Sequence, residues 1–289
     1  MEIRNSWKWG CQNMSDKRDF WEKTAERFAD DSIKAVCNPT AYGWFNKYAD
    51  FLQRTCLTPF LENLRGSFGL DIGCGVGRWI LRLLDRGANV VGIDISRNMI
   101  FQAKKRLRQK GKTCEFVVSS ASYLPFKDSS FDFALSVTVL QHITYEDDFR
   151  RSVCEIARVI KKASNALILE ASPQTSKLTS SDFPTTFRST QDWKNIFEET
   201  GLKLEKLKGV DFHLLLGALS AIKKKIFKKE GIYKWQLEAK PLPLKIRVSK
   251  VIYYFLVNLA VLLSLPLDLS LRDLLKNRSL QKLFILKKA

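Results

Sequence analysis

At 289 residues the chain can bury one large core or two modest ones, and its 45% hydrophobic content is ordinary for a soluble domain. The formal charge of +18 is not ordinary, and it calls for an anionic partner surface, either nucleic acid or the cytoplasmic face of a membrane. Six cysteines without a C-x-x-C pair exclude a zinc site of the usual spacing and a disulfide framework; no metal is expected, and the thiols read as those of a cytoplasmic protein.

The first residues, MEIRNSWKWG, are polar and do not form the apolar stretch of a signal peptide. Residues 17–30 place Phe20, Trp21, Thr24 and Phe28 at helical spacing with charges between them, and a second helix is expected from Tyr42 to Leu64. The segment Leu70-Asp71-Ile72-Gly73-Cys74-Gly75-Val76-Gly77-Arg78-Trp79, followed by Val90-Val91-Gly92-Ile93-Asp94, then reads as strand, glycine turn, helix, strand, acid. Alternate glycines let the backbone turn sharply and lie against a ligand. Asp94 ends the next apolar strand, Asn89 to Ile93, where a carboxylate can accept hydrogen bonds from both hydroxyls of a ribose. A glycine turn between packed elements and an acidic cap before Ser96 form the purely structural alternative. The spacing G-x-G-x-G, some seventy residues into the chain, departs from the G-x-G-x-x-G of dinucleotide sites.

Further motifs follow in order: Phe116 to Phe126 (FVVSSASYLPF), Phe131 to Ile143 (FDFALSVTVLQHI), Ala166 to Ala171 (ALILEA) and Phe187 to Leu202 (FRSTQDWKNIFEETGL). With the glycine loop they resemble the class I S-adenosylmethionine-dependent methyltransferases over residues 16 to 208. The resemblance implies an α/β fold with a doubly wound, mostly parallel seven-stranded sheet and an antiparallel last strand. It implies that Asp71 and the loop of Gly73, Cys74, Gly75 and Gly77 hold the methionyl end of S-adenosylmethionine, that Asp94 holds the ribose and that Ile95 lies against the adenine. Many relatives carry Asp-Ala before the Leu-Pro-Phe turn; Ser120-Ala121 stands here, and a hydroxyl can still accept a hydrogen bond, without charge assistance. Val137 to Val139 would face the methionine. Helices that precede the core in this family line the acceptor pocket, which makes Trp21, Tyr42 and Trp44 candidate contacts, with core packing as the competing reading.

The final segment, Gln281 to Lys288, resembles the last antiparallel strand, between the fifth and sixth. The expected organisation is therefore an N-terminal helical cap at 1–65, a Rossmann-like core at 66–208, a basic and apolar helical insertion at 209–280, and the last core strand at 281–289. Residues 203–289 carry nineteen Lys/Arg against six Asp/Glu, so the charge lies mostly outside the core. Within the insertion, 213–229 reads as a basic amphipathic helix and 251–267 as an apolar one shortened by Pro266. These segments, residues 213–267 together, would either meet an anionic membrane surface or pack as a lid on the sheet.

The acceptor's proton needs a base if the acceptor is a hydroxyl. His142, after the fourth strand, is a candidate base and Glu170, ending the fifth, could orient it or serve itself; structural roles compete for both, and His213 is assigned none. The expected function is O-methylation of a small or lipid-linked acceptor, sugar or quinone-like, by a cytoplasmic protein peripheral to a membrane. RNA methylation is the alternative that the charge suggests. Against nucleic acid, there is no separate RNA-binding module, and Ser136-Val137-Thr138-Val139 replaces the N-P-P-Y-type tetrad of base amino methylation. A non-catalytic scaffold on the same fold is the third reading.

Overall fold

Strands buried on both faces read as continuous apolar runs, and the middle of this chain supplies them at close intervals. The computed structural model describes residues 17–28, 43–179, 185–211, 266, 269–271, 273–274 and 276–289. Two helices come first, α1 at residues 17–27 and α2 at Gly43–Leu57. They precede β1 (Phe68–Ile72), α3 (Arg78–Leu84), β2 (Asn89–Asp94), α4 (Arg97–Gln109), β3 (Glu115–Val118) and β4 (Phe131–Val137). After a 3-10 turn at Leu140–His142 come α5 (Glu146–Val159), β5 (Ile160–Ala171), the short strands β6 (Lys177–Thr179) and β7 (Thr185–Phe187), α6 (Thr190–Glu199), β8 (Leu202–Gly209) and β9 (Gln281–Lys288).

The main sheet has the order β3-β2-β1-β4-β5-β9-β8. Its first five strands pair in parallel, and β9 runs antiparallel to both β5 and β8, between them as the sequence leads one to expect. The chain winds outward from β1 to β3 and then returns to the other side of β1. Strand order therefore reverses between β1 and β4, the place where open α/β sheets leave a crevice beyond the carboxyl ends of their strands.

Alternate residues of each strand feed opposite layers. Ala166 and Ile168 join Phe149, Val153, Trp193 and Phe197 on the side of α5 and α6. Leu167 and Leu169 join Leu52, Cys56, Trp79 and Ile80 on the side of α2 and α3.

Some element limits differ from the sequence expectation. The second helix stops at Leu57 instead of Leu64, because Pro59 lacks an N–H and constrains Thr58, and a 3-10 turn at Thr58–Phe60 takes over. The fifth strand begins at Ile160, directly after α5, where Ile160 pairs with Phe131. Phe187 closes a two-stranded β6–β7 hairpin, and α6 starts only after Ser189. Ser189 forms a capping box there: its Oγ accepts from Asp192 N at 3.2 Å while Asp192 Oδ2 accepts from Ser189 N at 3.1 Å.

The ends of the long excursion between β8 and β9 are tied together. Asp211 Oδ1 accepts from Leu280 N at 3.1 Å and Gln281 N at 2.9 Å, and Ser279 Oγ accepts from Val210 N at 3.1 Å. Lys282, fully buried, donates to Ser279 O at 2.9 Å and to Ser172 O. The expected helix at 213–229, the expected helix at 251–267 apart from Pro266, and Tyr42 lie outside the described residues. Among the described residues no helix is long and apolar enough to cross a membrane.

Candidate active site

The loop after β1 turns through residues that need a positive φ. Gly73 has φ +66°, and a Cβ there would lie 2.4 Å from Val139 Cγ2. Gly77, at φ +75°, caps α3 and packs against Leu107 and Ala103 of α4. Asp94 brackets the loop from the next strand: its Oδ2 accepts from Gly75 N at 2.8 Å and its Oδ1 from Ser96 N at 2.9 Å. Each oxygen keeps a lone-pair direction for a further donor. Burial pushes the Asp94 carboxyl up to about 6, against the opposing pull of those backbone bonds.

Asp71 stands beside it at only 2% exposure, and among the described residues its Oδ2 has no hydrogen-bond partner. Burial raises it to about 8, with Arg78 opposing and Asp94 adding to the rise. Arg78 itself is held by Asp50 at 2.6 Å and Gln53 at 2.9 Å, and Arg82 grips both oxygens of the same Asp50 at 2.9 and 2.7 Å. This buried network fastens α2 to the helix that follows the glycine loop. The other preceding helix, α1, is fastened by Glu22, which accepts from Ser96 Oγ, Arg97 N and Asn98 N at 2.8–2.9 Å and so caps α4.

A cleft of about 940 Å³ opens at the strand-order reversal. Asp71, Gly73, Cys74, Gly75, Asp94, Ile95, Ser120, Ala121, Val137 and His142 all border it, as does Trp21 of α1. Gly77 and Glu170 do not; Gly77 serves helix packing behind the loop. Cys74 is buried with its thiol pushed well above the ordinary range by burial, which suits a neutral wall residue. Ser120 spends its hydroxyl partly on the turn, accepting from Ser122 N at 3.2 Å.

Glu170 is fully buried and is not among the residues that line the cleft. Its carboxylate instead collects the N–H groups of Val139 and Leu140, both at 2.8 Å, and of Gln141 at 3.3 Å. That clamp sets the turn after β4, in which Thr138 takes φ +58°, an outlier for a β-branched residue, on the wall of the cleft. His142 follows in the same turn. Its ring meets Trp21 edge to face at 5.3 Å, with Thr185 Oγ1 3.4 Å from Nδ1 and Gln141 Nε2 3.4 Å from Nε2. Burial, helped by the nearby Lys17 charge, lowers His142 to about 4, so the imidazole is neutral at neutral pH.

Residues 70–168 match the family described as Methyltransferase domain. Over those residues the chain is similar to the class I S-adenosylmethionine-dependent methyltransferases. A demethylmenaquinone methyltransferase of Lactococcus lactis is 31% identical over 165 residues, 54% of this chain and 64% of that protein. Among solved structures, magnesium protoporphyrin IX methyltransferase of Synechocystis, with bound S-adenosylmethionine, superposes with a TM-score of 0.54 at 18% identity over 68% of this chain and 90% of that one. The [4+2]-cyclase SpnF superposes with a TM-score of 0.52 at 18% identity over 81% of this chain and 80% of that one. Such likenesses establish the shared methyltransferase fold, and the fold alone does not fix a reaction. The chain spans 61%, 41% and 64% of three curated relatives that it matches.

The class I cofactor, S-adenosylmethionine, fits the residues present. The buried Asp71 carboxyl, whose Oδ2 lacks a hydrogen-bond partner among the described residues, suits its ammonium, the turn at Gly73, which Val139 closes to a side chain, suits its methionyl end, and the spare lone pairs of Asp94 suit its ribose. Because burial raises Asp71, the protonated carboxyl is favoured in the fold, and apoprotein stability falls as pH climbs from the ordinary carboxylate range through about 8. An ammonium against that carboxyl favours its ionised form, so S-adenosylhomocysteine bound near neutral pH should release up to about one proton. Calorimetry in buffers of different ionisation enthalpy reads this release, and Asp71→Asn should abolish it. Heats that do not depend on the buffer would refute the assignment.

Proposed function

We propose that the chain transfers the methyl group of S-adenosylmethionine to an oxygen of a small or lipid-linked acceptor, sugar or quinone-like, beside an anionic membrane surface. The observation that carries the reading is a cleft holding both the cofactor cradle and, at the turn after β4, an apolar wall of Val137, Val139 and Ile143 with a neutral imidazole. The bound cofactor supplies an electrophilic methyl on sulfur. The chain then has to position the acceptor oxygen, exclude water and receive a proton. His142 is the proposed proton acceptor, and Glu170 is the proposed positioning group that fixes the turn presenting it. The charge and apolar runs of residues 213–267 support docking to an anionic bilayer.

Calorimetry with S-adenosylhomocysteine tests the cofactor step; no heat of binding and no thermal shift would favour a scaffold. Labelled methyl from S-adenosylmethionine should pass into a lipid or glycan extract. His142→Ala should slow that transfer about a hundredfold with S-adenosylhomocysteine affinity unchanged. Unaltered transfer would remove His142 from the reaction. Full-length protein should float with vesicles containing anionic lipid and not with neutral ones, and failure to float counts against the membrane part alone.

A further inference from the structure

The acceptor end of the cleft holds a cation that neither the cofactor cradle nor the proton acceptor uses. Lys17 lies in α1 four residues before Trp21, so both side chains leave the same face of the helix, and both line the cleft beside His142. The Lys17 Nζ donates to Thr144 Oγ1 at 3.1 Å and sits 5.6 Å from the centre of the Tyr145 ring. Among the described residues no carboxylate comes within ion-pair distance of it. The charges it feels are Asp148 on α5, which favours the ammonium, and Arg188 ahead of α6, which opposes it. Arg188 is itself occupied by Ile143 O at 3.0 Å and Glu146 at 3.3 Å. Burial brings Lys17 down to about 8, which leaves it cationic at neutral pH.

Among the described residues the carboxylates that line the cleft are Asp71 and Asp94, and both belong to the cofactor cradle. The acceptor end therefore offers apolar walls, a neutral imidazole and a partly desolvated ammonium that, among the described residues, has no carboxylate within ion-pair distance. An anion there gains a charge-assisted hydrogen bond. A neutral alcohol gains little from the ammonium and would have to yield its proton to a weakly basic histidine.

We infer that Lys17 binds the acceptor oxygen and selects a phenolic or enolic hydroxyl, which ionises readily, over an alcohol of the sugar type. The inference rests on the methyl-transfer reading and narrows it. In the transfer, the hydroxyl proton passes by way of His142 to water, and the oxyanion lies against the Lys17 ammonium. An oxygen lone pair forms the new bond to the methyl carbon as the carbon–sulfur bond breaks, and the sulfur keeps that pair as a neutral thioether.

The test uses the full chain saturated with S-adenosylhomocysteine and a matched pair of probes, para-nitrophenol and para-nitrobenzyl alcohol. The phenol should bind as its yellow anion at a pH where the free probe is largely protonated, and about tenfold to a hundredfold more tightly than the alcohol. Lys17→Met should erase that preference, Lys17→Arg should restore most of it, and both variants should keep S-adenosylhomocysteine affinity. Equal binding of the two probes, binding of neither, or a preference that survives Lys17→Met would overturn the inference. Failure of the wild-type chain to bind S-adenosylhomocysteine would instead sink the methyl-transfer reading beneath it.

Discussion

Gly73→Ala should weaken S-adenosylhomocysteine binding roughly a hundredfold while the protein remains folded. A left-handed conformation costs an L-residue roughly 1–2 kcal/mol, and Gly73 holds φ +66°. The added methyl would also lie 2.4 and 2.6 Å from the two Cγ atoms of Val139. Val139 has little room to retreat, because its N–H is held by Glu170 at 2.8 Å and its branched side chain is stiff at χ1. The loop must move instead, and with it the Gly75 N–H that fixes Asp94. Gly111→Ala is the control, since φ is +64° there too but nothing lies within 4 Å of the new Cβ. It should cost a little stability and no affinity. Adding Val139→Ala to Gly73→Ala should recover the part of the loss due to collision and leave the part due to φ. Wild-type affinity in Gly73→Ala, read by calorimetry, would show that the loop does not approach the ligand.

Trp193→Ala should instead cost stability, about 3–5 kcal/mol in denaturant unfolding, with cofactor affinity retained. Trp193 is fully buried where α5, α6 and β9 meet. Its ring centre lies 5.1 Å from that of Phe149, 5.5 Å from Phe197 and 5.6 Å from Phe284. The residue does not border the cleft. Trp193→Phe should cost well under half as much, because the ring contacts partly survive and the indole N–H it removes has no hydrogen-bond partner. A destabilisation under 1 kcal/mol for the alanine variant would mean that the surrounding rings collapse into the gap.

The glycine loop and Asp94 could be read from the chain because what they need is local: a positive φ, an apolar strand, an acid at its end. The place of β9 was legible through resemblance, since a strand separated from its neighbours by a long excursion carries no local sign of where it pairs. The anchoring of the helices was not legible. Asp50 and Arg78, or Glu22 and the first amides of α4, are far apart in sequence and come together only when the helices pack. Lys17 was hidden by its company, because a lysine among charges on an amphipathic helix reads as solvated. Its spacing of four from Trp21 was the available signal, given that Trp21 was already a candidate for the pocket. Glu170 reads from the sequence as either a catalytic or a structural group. A carboxylate at a strand end resembles a catalytic group, yet three backbone amides from the turn after β4 claim it.

The knot of Asp211, Ser279 and Lys282 bears on how a chain of this kind can diverge. Bringing the ends of a loop together has an entropic cost that rises only by about 0.6 kcal/mol for each doubling of length. Here the contacts that offset that cost are made at the two ends of the excursion, by Asp211 and Ser279, and by Gln281 and Lys282 of β9. A graft between positions 211 and 279, longer, shorter or of different charge, would thus meet the same two anchored ends. The sheet can keep its register while the intervening segment is exchanged like a cassette, which uncouples the evolution of that segment from the evolution of the cleft.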